Sequence, residues 1–230
     1  MSVTIAMLAQ IPVFGQLQGT MLQQIANQAS VIKCKRNEIL YNQDATLIGL
    51  YAIIDGYVKL YRQSGQRTQI LALLRRGDSF GAEALSDKAN SSYYAATLTP
   101  VTLIFLPADS MLELMQSYPD IRVILLQMVT KRLRQFASLV HNLAFRDVTA
   151  RLSALIIARA EQDGMITDEG IHVPRLMTQS DLATMIGTAR EVVQRTLKKL
   201  EQENIVHVSR KEFLILNIDR LRQIAEEETR

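Results

Sequence analysis

Arg190, Glu191 and Arg195 stand close together near the C-terminal end of a 230-residue chain. An arginine guanidinium can donate paired hydrogen bonds to O6 and N7 of one guanine, and a carboxylate can accept one from N4 of a cytosine. The three side chains therefore suit base-edge recognition. Between Thr188 and Leu200 the cations Arg190, Arg195, Lys198 and Lys199 are opposed by Glu191 alone. The same residues also suit a solvated helix face on which Glu191 and Arg195 form an i,i+4 pair. Bulk charge does not choose between the two, because residues 146–230 carry 13 basic and 14 acidic side chains.

The choice depends on the elements that carry these residues. Thr178-Gln179-Ser180-Asp181 has the form of a capping box opening a short helix, which would end at Gly187. A second helix is predicted from about 189 to 203. Leu182, Ala183 and Ile186 on the first, with Val192, Val193, Leu197 and Leu200 on the second, supply the apolar faces of a helix-turn-helix. Residues 205–209 and 212–216 flank Arg210-Lys211 as a hairpin, or wing. Ser209, Arg210 and Lys211 at its tip, and Lys199 on the helix, are candidate phosphate contacts. A generic pair of packed helices is the alternative.

Upstream, Leu126, Val129, Leu133, Phe136, Val140 and Leu143 recur at spacings of 3, 4, 3, 4 and 3, an a/d seam that wants a partner helix. Ser117 as N-cap, Pro119 in the first turn and Asp120 at N3 predict a helix over 119–144, roughly 38 Å long. An ordinary core helix is the competing reading. The seam favours a homodimer.

The first hundred residues read mainly as strands, over 39–41, 50–54, 57–61, 68–74, 93–98 and 101–106, with helices predicted over 7–14 and 20–29. Asp55-Gly56 predicts a two-residue type I′ hairpin, and Ser64-Gly65 and Arg76-Gly77-Asp78 mark further turns. The expected class is α+β: an antiparallel β-roll over 1–117, a dimerisation helix over 118–145 and a winged helix-turn-helix over 146–230. No apolar run approaches the roughly 20 residues that span a bilayer, and no secretory leader pattern opens the chain, so a cytoplasmic protein without membrane association is expected. Cys34 is the sole cysteine, which excludes an intrachain disulfide and a cysteine-ligated cluster. Residues 1–140 contain no histidine, which argues against a haem ligand in the roll and against a cupin-like metalloenzyme. No metal site and no catalytic residue is expected.

Residues 142–151 (NLAFRDVTAR) and 187–195 (GTAREVVQR) resemble the hinge and recognition-helix signatures of the CRP/FNR superfamily of transcription regulators, and the resemblance extends over nearly the whole chain. It implies a β-roll effector domain, a dimer helix and a winged helix-turn-helix that acts on double-stranded DNA at promoters together with RNA polymerase. It places Arg190, Glu191 and Arg195 on the base-reading positions, and implies a half-site resembling TGTGA. Thr178, Ser180, Ala189 and Val192 match phosphate-contacting positions, although the last two lack a polar side-chain atom. The effector pocket that the resemblance implies comprises Gly81, Glu83, Ala84, Ser91, Ser92, Arg132 and Phe136. Glu83 takes the ribose-binding place, but Ser91 stands where cyclic-AMP-binding members have their phosphate-pairing arginine. A serine cannot form the bidentate guanidinium–phosphate pair. Phe136-Ala137 replace the Thr-Ser pair that meets adenine, so the effector is expected to be something other than cyclic AMP, or none. A sensor whose C-terminal module docks a protein partner is the alternative function.

Overall fold

The computed structural model describes residues 2–12, 14–15, 17, 19–86 and 90–227. The chain divides into two compact units, one of Met1–Arg67 with Leu71–Phe136, the other of Thr68–Ile70 with Ala137–Arg230. The strands of the first part of the chain are β1 (Ser30–Cys34), β2 (Ile39–Tyr41), β3 (Gly49–Asp55), β4 (Val58–Ser64), β5 (Arg67–Leu74), β6 (Ser79–Phe80), β7 (Tyr94–Thr97) and β8 (Val101–Pro107). They form two sheets, ordered β1-β8-β3-β6 and β2-β7-β4-β5. Helices α1 (Ile5–Ala9), α2 (Gly19–Gln28), α3 (Ala108–Ser117) and α4 (Pro119–Phe145) accompany them.

The central strands β3 and β8 of sheet β1-β8-β3-β6 are buried on both faces, and alternation along them divides their side chains between two cores. Leu50, Ala52, Ile104 and Leu106 join Ile25 of α2 and Met111 of α3 in one cluster. Ile53 and Leu103 point the other way, to Leu60 and Leu74 of the opposing sheet. Burial on both faces explains why β3 and β8 read as continuous apolar runs. In β4 only Val58 and Leu60 are buried, and Lys59 and Tyr61 beside them are half-exposed.

Turn chemistry misplaced one connection. Asp55-Gly56 does not close a hairpin, because β3 pairs with β8 and β6 whereas β4 pairs with β7. Only Gly56 of the two has positive φ, at 87°, where type I′ needs both. The glycine serves a corner between sheets: a Cβ there would collide with the Pro100 carbonyl oxygen. The tight hairpin is at Gly65, φ 56°, joining β4 to β5.

Ser117 is not the N-cap of the long helix. It ends α3, and its hydroxyl donates to the Glu113 carbonyl at 3.0 Å. One residue, Tyr118, separates α3 from α4, whose first turn holds Pro119 and Asp120. The first helix is also shorter than the predicted 7–14. The Thr4 hydroxyl accepts from the Met7 amide at 3.2 Å to start it, and it ends at Ala9 before Pro12.

Helix α4 runs for 27 residues. Ile121, Ile124 and Leu125 are buried in its first turns, but Leu126, Val129, Leu133 and Val140 are 67%, 50%, 66% and 65% exposed in the single chain. Leu143 is exposed too, whereas Phe136 is half-buried and packs against the core between the sheets. No described helix is long and apolar enough to cross a membrane.

The second unit contains α5 (Val148–Asp163), β9 (Met165–Thr167), β10 (Gly170–Pro174), α6 (Gln179–Ile186), α7 (Arg190–Gln202), β11 (Val206–Val208), β12 (Glu212–Ile215) and α8 (Ile218–Glu226). Its sheet is ordered β11-β12-β10-β9 and antiparallel. Helices α5 and α8 pack together, as do α6 and α7. Leu152, Ile156, Leu182, Val193, Leu197 and Leu221 are all buried.

Candidate functional site

The predicted reading helix is built from local rules. Thr178 caps α6: its hydroxyl accepts from the Asp181 amide at 3.1 Å, and Asp181 Oδ2 accepts the Thr178 amide at 3.2 Å. Gly187 ends α6 in the left-handed region, φ 67° and ψ 50°, where L side chains are strained. Two residues later Ala189 stands as N-cap of α7 without a side-chain cap bond. This short link follows from the cap and the glycine. Thr178→Ala should lower unfolding free energy by about 0.5–2 kcal/mol, read as a lower midpoint in urea denaturation. An unchanged midpoint would mean that α6 is fastened by other contacts.

Helix α7 separates its faces cleanly. Val193, Thr196, Leu197 and Leu200 are buried, at the i, i+3, i+4, i+7 spacing of a single stripe. Arg190, Glu191, Gln194, Arg195, Lys198 and Lys199 are exposed on the remainder. Among the described residues no ion pair joins Glu191 to Arg195, whereas Lys199 Nζ lies 4.0 Å from Glu203 Oε1. The base-reading candidates thus share one solvent face in the first two turns of the helix.

The wing is tied down internally. The Ser209 hydroxyl donates to the Glu212 carbonyl at 3.1 Å and accepts the Lys211 and Glu212 amides at 3.2 and 3.0 Å. Its side chain closes the turn. Arg210 and Lys211 are exposed at the tip. Arg175 was missed by sequence reasoning: its Nη1 donates to the Ser209 carbonyl at 2.9 Å, its amide donates to the Lys211 carbonyl at 2.7 Å, and its guanidinium lies 5.7 Å from the Phe213 ring centre. Glu201 of α7, also missed, accepts the Val208 amide at 2.9 Å and lies 3.3 Å from His207 Nδ1. A lone arginine or glutamate carries no pattern that would have revealed either role.

The sensor residues gather only in part. Gly81 holds φ 88°, and a Cβ there would come 2.6 Å from the Gly49 carbonyl oxygen. Glu83 and Ala84 follow on a single 3₁₀ turn, Ala82–Leu85. Ser91 is buried, donating to the Tyr93 carbonyl at 2.5 Å and accepting the Tyr93 amide at 3.2 Å, while Ser92 is exposed. Residues 87–89, between these segments, lie outside the described residues. From α4, Arg132 donates to the Ser79 carbonyl at 3.2 Å and to Gln135 Oε1 at 2.7 Å. Burial lowers its pKa, opposed by the charge of Asp78 and by Tyr93, Glu83 and Tyr41 nearby.

Two tyrosines dominate this core. Tyr93 is buried, and Tyr94 faces outward to stack on Tyr61 at 4.9 Å, as strand alternation requires. Tyr41, which no pattern singled out, lies 6.1 to 6.2 Å from the rings of Phe80, Tyr51 and Tyr93. Burial raises the pKa of both Tyr41 and Tyr93, and the Glu83 carboxylate adds to the effect. Both remain neutral phenols at ordinary pH. Cys34 is buried as well, and burial followed by the charge of Glu38 pushes its thiol up. That environment opposes thiolate reactivity.

Two family models match the chain. A family model described as the cyclic nucleotide-binding domain matches residues 31–118, and one described as the Crp-like helix-turn-helix domain matches residues 150–224. The global nitrogen regulator of Synechocystis sp. is 28% identical over 172 residues, covering 73% of this chain and 76% of its own length. The cAMP-activated global transcriptional regulator CRP of Haemophilus influenzae is 29% identical over 176 residues, covering 75% and 77%. Among solved structures, FixK2 from Bradyrhizobium japonicum shares the fold with a TM-score of 0.78 at 18% identity, over 87% of this chain and 99% of that one.

Proposed function

Since this chain belongs to the CRP/FNR superfamily of transcription regulators, with a cyclic nucleotide-binding domain ahead of a Crp-like helix-turn-helix, we propose that it works as a homodimer on a two-fold DNA site. The functional divisions are a sensor over 1–117, a dimer helix over 118–145 and a reading domain over 146–230. The observation that carries the reading is the exposed face of α7, where Arg190, Glu191 and Arg195 stand opposite a fully buried apolar stripe. Each arginine reads a guanine and Glu191 reads a cytosine on the opposite strand. Thr178, Ser180, Lys199 and the wing residues Arg210 and Lys211 contribute phosphate contacts, which set register and carry no base preference. Ser209 acts through its backbone-tied turn.

The two α4 seams meet across the dimer axis, and the paired α7 helices then address successive major grooves about one helical turn apart. The site is a pseudo-palindrome resembling TGTGA and inverted TCACA with about six base pairs between them. The protein acts by binding rather than by catalysis, in the cytoplasm and in company with RNA polymerase. Cyclic AMP is not its effector: Ser91 offers a hydroxyl already engaged with Tyr93, where an anionic phosphate needs a cation. Selection from a randomised duplex library should enrich the paired TGTGA-like half-sites. Enrichment of a motif without their guanines, or of none, would overturn this reading, and the second result would favour a protein-docking role for the C-terminal module.

A further inference from the structure

Among the described residues, buried aromatic side chains pack between the two sheets of the roll. Tyr41, Phe80 and Tyr93 are 8%, 3% and 5% exposed, and they pack in one cluster with Leu60, Leu74 and Leu103. Tyr41 meets both other rings, and Phe80 stacks on Tyr51 at 5.1 Å. Ala84 belongs to the same cluster, and Phe136 of α4 packs against it. Four predicted pocket residues, Glu83, Ala84, Arg132 and Phe136, are thus arranged around tyrosine rings. A ligand inserted among these rings would have to displace buried aromatic groups from packed surroundings.

On the α4 side, the cluster meets a cation. Arg132 bonds the Ser79 carbonyl on β6, and its neighbour Lys131 pairs with Asp78 at 2.9 Å. Asp78 is itself fixed by accepting the Arg75 amide at 3.0 Å. Two consecutive cations of α4 therefore grip consecutive residues, Asp78 and Ser79, at the start of β6. The seam residues Val129 and Leu133 lie on the same helix turns.

We infer that Tyr41 and Tyr93 are this chain's own occupant of the roll, and that Arg132 is the positioning residue through which the filled core sets α4, so that DNA binding requires no small molecule. The inference rests on the DNA-reading function proposed above and decides between its two options for the sensor. The ring of Tyr41 is the occupying group, packed against the rings of Phe80, Tyr51 and Tyr93.

Native mass spectrometry of full-length protein on its selected duplex tests this. The expected mass is two chains plus duplex, and millimolar cyclic AMP or cyclic GMP should change Kd by less than about twofold in fluorescence anisotropy. Tyr41→Phe should also leave affinity within about twofold, whereas Arg132→Gln should weaken it about tenfold or more while dimer mass and melting temperature persist, with partial recovery in Arg132→Lys. Tyr93→Ala risks unfolding the roll, so these milder variants carry the test. A stoichiometric small molecule retained in the complex would overturn the inference, as would an Arg132→Gln protein of unchanged affinity or a nucleotide that tightens binding tenfold. Failure of the underlying reading looks different: untreated wild-type protein would then select no DNA sequence.

Discussion

Replacing both Leu133 and Val140 with aspartate is expected to yield a folded monomer. Each side chain is about two-thirds exposed in the single chain, at 66% and 65%, so the substitutions remove little from either core. Across a two-fold axis the same change places four carboxylates in an apolar seam formed with Leu126 and Val129. Burying unpaired charges there costs several kcal/mol, and the burial of each leucine-sized side chain, about 1.5–3 kcal/mol, is lost as well. Sedimentation velocity should show one species at half the wild-type mass, with unchanged far-ultraviolet circular dichroism. Affinity for the full palindrome should fall about a hundredfold or more, because the second half-site is no longer delivered by the same particle. A persistent dimer would show that another surface joins the chains. Phe136 is left out of this variant because it packs against the roll, so changing it would injure the sensor core as well as any seam contact.

Arg195→Ala should produce the largest change in what is read. Its guanidinium stands on the exposed face of α7 and makes no ion pair with Glu191, so its removal disturbs no fold contact there. Loss of a bidentate guanine contact costs about 1–3 kcal/mol per half-site. Two half-sites double that figure, which weakens Kd for the palindrome by about 30-fold or more. Preference should relax at one position of each half-site in a repeat of the library selection. Lys199→Ala is the comparison: it should weaken all sequences about equally and reduce the slope of log K against log salt by about 1 for each phosphate that the lysine neutralised. If Arg195→Ala instead kept its base preference and behaved like Lys199→Ala, the guanidinium would be bound to phosphate and the assignment of α7 would be wrong.

Elements decided by neighbours in sequence were legible beforehand. The Thr178–Asp181 cap, the left-handed Gly187 and the apolar spacing of Val193, Leu197 and Leu200 depend on hydrogen bonds and periodicity that span only a few residues. They fix where α6 stops, where α7 starts and which face of α7 is wet. The exposed apolar row Leu126, Val129, Leu133 and Val140 on α4 was legible for the same reason. Other features were decided by partners far along the chain. Asp55-Gly56 has hairpin chemistry, but whether a turn closes a hairpin depends on which strand pairs next, and here β3 found β8. Ser117 resembles a cap in its local context, yet α3 already occupies it, because Met111 and Leu114 bury against the roll. The C-terminal helix α8 and strand β1 were likewise unseen until α5 and β8 supplied their packing and pairing. Most consequential is Tyr41, one aromatic residue at the end of a three-residue strand. Its identity is written in the sequence, but its place among Phe80, Tyr51 and Tyr93 exists only once the two sheets close, because residues 41, 51, 80 and 93 belong to different strands and loops that meet solely through long-range burial of apolar surface.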